Sequence, residues 1–362
     1  MLTFIGDIFW DSHRELEIAP SVEEAIKKSK LVCCNLEGGL GSAPGDYQIG
    51  SRLNFDMKIA EILNNIGVST VSVANNHALD AGYIGLQDLA KLDTFGISFF
   101  GTACKNYHEI KTKHHQIVLL SYCDDELYAG SYNHNYDTKE LISLIDYREI
   151  YLDISKFKGQ NYKVVVQIHA GGEFEQYPGR HIRNLFRFCI DVGADVVIGH
   201  HPHVAQECEE YKEGLICYSL GNFVMTHGVD EKACSGKVLS IDFTDEGIKK
   251  NEICIVQETE DEVVRIKLSK RCYTNSSTLL EKYRADNVTY THYLNYIFSM
   301  DIKNEYGIFV KLKLLIKSAK TIFFGLSEGR RDLLYHLLNS DHHHVQLKKL
   351  SKYLRKQRKN YD

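Results

Sequence analysis

Six times before residue 223, a short apolar run of strand type ends in a side chain that binds metals. LTFI gives way to Gly6-Asp7, LVCC to Asn35-Leu36-Glu37, and STVSVA to Asn75-Asn76-His77. KVVVQI ends in His169, DVVIG in His200-His201-Pro202-His203, and ICYSL in Gly221-Asn222. Packing alone gives no reason to end strands in Asp, Glu, Asn or His. In an open α/β sheet the carboxyl ends of the strands are where sites form. Carboxylates, amides and imidazoles converging there suit a pair of divalent ions.

The runs belong to a wider rhythm. Strand-like stretches at residues 2–5, 31–34, 70–74, 98–100, 116–121, 164–169, 196–199 and 215–220 are interleaved with helix-like ones at 21–30, 56–67, 85–96, 137–157 and 183–193. Ser21 with Glu24 three residues on reads as a helix start. The alternation predicts an α/β fold with helices packed on a central sheet. Residues 238–243, 252–257 and 263–268 then follow as three strands joined by polar turns, so they read as antiparallel. A mixed sheet or two packed sheets is the expected result. From about residue 271 the pattern turns helical, which divides the chain into residues 1–270 and a basic helical extension at 271–362.

Composition narrows the function. A net charge of −5 argues against a nucleic-acid partner. No charged stretch followed by an apolar one opens the chain, and no run of 18 apolar residues occurs, so neither a signal peptide nor a membrane span is expected. A cytoplasmic or membrane-peripheral location follows. The cysteines form no CxxC pair, and Cys33, Cys34, Cys123, Cys217 and Cys254 lie in apolar strand-like runs, so they read as free buried thiols in a reducing cytosol. Beyond residue 310, Lys and Arg far outnumber acids and interleave with Leu314, Leu315, Phe323 and Phe324. Two readings fit that tail: helices docked on the core, or a surface for anionic membrane or polymer.

Each candidate site residue has its own argument. Asp7 and Glu37 are acids among apolar neighbours, and a buried carboxylate is costly unless a cation meets it. The amide of Asn76 is a plausible ligand for a hard metal, and His77 beside it is placed to act as an acid, with Asp80 able to orient it. His169 ends its strand and is followed by two glycines, Glu173 and Glu175. If residues 200–203 are extended, His201 and His203 face one side and His200 the other, away from the metal shell. His342, His343 and His344 lie in the polar tail and read as solvated.

GD, NLE, ANNHALDAG, HAGGEFEQYP, GADVVIGHHPHV and YSLGNF, in this order across roughly residues 2–225, resemble the signature of the CapA family of bacterial capsule and poly-gamma-glutamate synthesis proteins. That family in turn resembles calcineurin-like metallophosphoesterases. The resemblance implies a mixed β-sandwich flanked by helices, with one or two divalent ions. It implies a metal shell of Asp7, Glu37, Asn76, His169, His201 and His203, with His77 as the acid. Phe9 stands where many metallophosphoesterases carry a second ligand, and Glu37 replaces a bridging Asp. The histidine-rich shell favours Mn, Fe or Zn over Mg. The leading expectation is a metal-dependent hydrolase of a phosphoester, or of a capsule or polyglutamate-related substrate, small or polymeric. The alternatives are an accessory that binds an acidic polymer and a metal-dependent peptide-modifying enzyme, an epimerase or one acting on amides.

Overall fold

Alternation along the strands builds two packed sheets. In Lys163–His169, Val164, Val166 and Ile168 pack outward among helix side chains, while Val165 faces the other sheet. In Leu31–Leu36, Leu31 and Cys33 face inward and Val32, Cys34 and Leu36 outward. A period of two is what a pleated strand imposes. The computed structural model describes residues 1–10, 14–41, 53–124, 138–226, 235–260 and 263–270.

The first sheet runs in the order Glu15–Ile18, Val263–Ser269, Gly247–Glu260, Ser235–Thr244, Leu2–Phe9, Leu31–Leu36, Thr70–Ser72 and Ser98–Phe100, with Asn222–Met225 also paired to Leu2–Phe9. The second runs Cys208–Tyr211, Gly214–Cys217, Val196–His200, Lys163–His169, Gln116–Cys123 and Tyr107–Lys111. Pairing is parallel around Leu31–Leu36 and Lys163–His169. It is antiparallel along the three strands after residue 235, as their polar turns predict. Phe4, Leu119, Val165, Ile198 and Leu239 fill the layer between the sheets. Helices Pro20–Lys27 and Lys58–Ile66 cover the first sheet, and Tyr147–Gly159 and Arg180–Asp191 the second. The chain is therefore a mixed β-sandwich flanked by helices, the fold class expected from its sequence.

Local details differ from expectation for identifiable reasons. Ser21 is not a cap, because the first helix begins at Pro20, whose fixed φ suits the first helical position. The helix expected at 137–157 begins only at Tyr147. There Asp146 Oδ1 accepts from the amides of Arg148 (2.8 Å) and Glu149 (3.2 Å). The strand expected at 215–220 ends at Cys217, and a further strand not expected from the sequence, Asn222–Met225, follows it and joins the other sheet. Cys217 is not a free thiol but is bonded to Cys208, its direct partner across two antiparallel strands, and Cys254 is also disulfide-bonded. Cys33, Cys34 and Cys123 are free and buried. The extension at 271–362 and its basic tail lie outside the described residues.

Candidate metal centre

The site forms where inward-facing positions run past the ends of parallel strands in both sheets. Leu31 and Cys33 are followed by Asn35 and Glu37, and Val165 by Gln167 and His169, each two residues apart. Asp7 needs a further device. Leu2 and Phe4 face the sandwich layer, yet Ile5 and Ile8, three apart, both join the outward cluster. Strict alternation forbids that. The register slips between Phe4 and Asp7, and a slip of one residue turns a side chain to the other face. Gly6 permits the close crossing, since a Cβ there would lie 2.0 Å from Gly221 O, and Asp7 N donates to that oxygen at 2.9 Å.

The histidine segment corrects the extended-strand argument. His200 is the last residue of its strand and continues the inward series of Val196 and Ile198. It therefore does not turn away from the cluster. Its Nδ1 lies 2.8 Å from Asp7 Oδ1 and its Nε2 3.1 Å from Gln167 Oε1. His201 and His203 turn inward because the chain leaves the strand with φ of 93° and 56° at these two residues. Left-handed backbone at a non-glycine residue is strained and clusters at functional sites.

All six residues expected to hold metal are buried, and so are His77 and Asp80. Their donor atoms fall into interlocking groups. Glu37, His169 and His201 form one, and Asp7, Glu37 and His203 another, with the ligand atoms of each group within 4.8 Å of one another. His203 Nε2 is 3.6 Å from Glu37 Oε1, and His203 Nδ1 is 3.6 Å from Asp7 Oδ2. Asn76 Oδ1 faces His169 Nε2 at 2.8 Å. His77 Nδ1 lies 2.7 Å from Asp80 Oδ2. Carboxylate, imidazole and amide donors at this spacing suit a divalent transition metal.

Burial pushes the Asp7 carboxyl up, but the hydrogen bond and charge of His200, with smaller contributions from His203 and Asn35, outweigh it and hold Asp7 below its usual range. His169 is driven well below the ordinary imidazole value by burial and then by the histidines around it, including His77. Burial also lowers His203, although Asp7 and Asn222 oppose it. Neutral imidazoles and an ionised carboxylate are the forms that ligate metal.

Several supporting residues stand out in the sequence only as amides at the ends of apolar runs, with no separate role assigned to them. Asn35 Nδ2 donates to Asp7 Oδ1 at 3.0 Å and lies 3.3 Å from His169 Nδ1. Asn75 ties this amide to the next loop by donating to Asn35 Oδ1 (3.2 Å) and Leu36 O (2.8 Å) while accepting from His77 N (3.1 Å). Asn222 Oδ1 meets His203 Nδ1 at 2.9 Å, which fixes that ring. Amides inside apolar strand ends were the available clue. Glu173 also reaches the centre, grouped with His201 and His203.

The sequence profile described as "Bacterial capsule synthesis protein PGA_cap" matches residues 1–227. The chain is 30% identical over 251 residues to "Capsule biosynthesis protein CapA" of Bacillus anthracis, covering 63% of this chain and 60% of that protein. It is 30% identical over 244 residues to "PGA biosynthesis protein CapA" of Bacillus subtilis (strain 168), covering 62% and 63%. The match thus spans about three fifths of the length of these curated relatives. Among solved structures, the Haemophilus influenzae NAD nucleotidase aligns with a TM-score of 0.43 at 14% identity, over 91% of this chain and 60% of that one.

Proposed function

The chain belongs to the bacterial capsule synthesis protein PGA_cap family, and from that premise we propose that its sandwich is a metal-dependent hydrolase acting on a phosphoester or on a capsule- or polyglutamate-related polymer. The observation that carries this reading is Glu37, whose carboxylate belongs to two donor groups at once, with His169 and His201 on one side and Asp7 and His203 on the other. Asp7, Glu37, Asn76, His169, His201 and His203 would hold one or two ions, with Mn, Fe or Zn favoured by the imidazoles. When bound, such an ion supplies an activated water and polarises the bond under attack. His200 and Asn35 hold the Asp7 carboxylate in place, and Asn222 holds the His203 ring. Asp80 fixes the His77 ring through Nδ1. His77 would then deliver a proton to the leaving oxygen.

The test is metal analysis of the purified protein followed by hydrolysis of a chromogenic phosphodiester. Bound transition metal, with activity lost in Glu37→Gln and His201→Ala, is expected. A protein that takes up no metal and shows no metal-dependent turnover overturns the reading.

A second reading is an accessory that binds an acidic polymer. It is favoured by the printed names of the relatives, capsule and PGA biosynthesis proteins, and by the basic composition beyond residue 310. We propose that segment as the contact for polyglutamate or an anionic membrane. Retention on immobilised polyglutamate that falls steeply with salt, and survives metal removal, would select it. Among the described residues no helix is long and apolar enough to cross a membrane. The Cys208–Cys217 bond would suit an oxidising compartment.

A further inference from the structure

The loop at residues 170–179 leaves the strand that ends in His169 and passes over the histidine pair before the helix Arg180–Asp191 begins. It is pinned there by two hydrogen bonds to the histidine segment. Phe174 N donates to Pro202 O at 2.8 Å, and Gln206 Nε2 donates to Glu175 O at 2.7 Å. Gln206 is itself buried. Phe174 takes a left-handed φ of 59°, and its ring lies 6.1 Å from that of His203. A loop held this tightly presents its side chains in fixed directions.

Glu173, one residue before the first anchor, is half-buried. One of its carboxylate oxygens and one ring nitrogen each of His201 and His203 lie within 4.8 Å of one another. Ligands of one ion stand apart by at most about twice a metal–ligand bond of about 2.0–2.2 Å, so only a slight side-chain movement closes this set on a cation. Glu173 belongs to neither of the groups built on Glu37. It approaches the histidines from the loop side, whereas Asp7 and Glu37 come from strand ends deep in the sandwich. The position two residues after Asp7, where a further donor could have stood, is Phe9, which is packed in the outward hydrophobic cluster.

We propose that Glu173 is a metal ligand that joins His201 and His203 at the centre. This rests on the metal-centre reading above. His201 and His203 already belong to the two groups that share Glu37, so Glu173 adds a donor to that centre rather than building a remote site. Its half-buried position makes it the donor that an incoming substrate can displace, while Asp7 and Glu37 keep the ion in place. Gln206 acts as a positioning residue, because its bond to Glu175 fixes the loop that carries the carboxylate.

The experiment is a titration of the chelator-stripped full chain with Mn²⁺, followed by calorimetry and by the signal of free Mn²⁺. Glu173→Gln is expected to weaken the least tightly held ion about tenfold or more, on the scale of lost metal-site interactions. Gln206→Leu is expected to weaken the same ion by less, with all the donors still present. The thermal midpoint of each metal-free variant is compared with wild type, so that misfolding is not read as lost affinity. A Glu173→Gln isotherm that superimposes on wild type overturns the proposal and leaves the metal-centre reading standing. A wild-type chain that takes up no Mn²⁺ overturns both.

Discussion

His77 Nδ1 lies 2.7 Å from Asp80 Oδ2, and the same oxygen accepts a hydrogen bond from Leu53 N at 2.8 Å. The turn between them makes the pair compact, with Asp80 N donating to His77 O at 3.0 Å. A carboxylate held from two sides is a rigid partner, so the imidazole has one orientation. His77 is also close enough for its charge to depress His169 and His203.

His77→Ala is therefore expected to leave metal content unchanged and to lower phosphodiester turnover by about 10²-fold or more, the usual scale for a lost acid or base. Asp80→Asn is expected to fall between this variant and wild type. Steady-state kinetics on metal-loaded protein decide it, and wild-type turnover in His77→Ala would remove this residue from the mechanism.

His200 gives a contrasting case. It touches Asp7 and Gln167 but belongs to none of the candidate donor groups. His200→Ala should keep every ligand in place and still weaken metal binding about 10–100-fold, because the Asp7 carboxylate loses the partner that orients it. Metal retained after dialysis against a weak chelator measures this. Retention equal to wild type would mean that Asn35 and the amide of His201 hold Asp7 without His200.

The rhythm of strand-like and helix-like runs pointed to helices packed on a mixed sheet or on two sheets, and the family resemblance supplied the sandwich. Runs such as KVVVQIH and LVCCNLE are apolar nearly throughout because both of their faces are covered, so the sequence does not tell the inward face from the outward one. The sequence also pointed to the residues that gather at the centre, since polar side chains at apolar strand ends stand out. It could not show how three of them arrive there. Asp7 depends on a register slip, and His201 and His203 on left-handed backbone. Neither device leaves a periodic trace. The role of His200 was misread for the same reason, because alternation was applied past the last residue of the strand. The disulfide was equally hidden, since Cys208 and Cys217 meet only through the pairing of two strands.

That disulfide leads to a stability prediction. Cys208 and Cys217 are nine residues apart in sequence, and closing so short a loop stabilises a fold by about 2.5 kcal/mol in the chain-entropy view. The double variant Cys208→Ser/Cys217→Ser should lose about that amount in urea unfolding under oxidising conditions. The exposed Cys104 should react with an alkylating reagent in native protein, while Cys208 and Cys217 should not. Equal stability of the variant and wild type would show that the bond adds nothing to the folded state.

Lys237 is buried between the sheets, with Nζ 2.9 Å from Glu252 Oε2, and Lys250 lies 3.3 Å from the other oxygen of the same carboxylate. Burial raises the Glu252 carboxyl, but the charges and hydrogen bonds of Lys237 and Lys250 outweigh it, and the net shift is downward. Lys237 is lowered mainly by burial, with Glu252 pulling the other way and Lys250 and Glu207 contributing smaller, opposed effects. A carboxyl that is more acidic when folded stabilises the fold fully above its unfolded value of about 4.5. That stability is lost as pH falls from there through the lower folded value. Glu252→Gln mimics the protonated side chain at every pH. Wild type should therefore melt above Glu252→Gln at pH 7, and the gap should narrow steadily below about pH 4.5. Thermal midpoints from pH 7 down to pH 3 test this directly. A gap that stays constant across the acid range would mean that Glu252 does not become more acidic on folding.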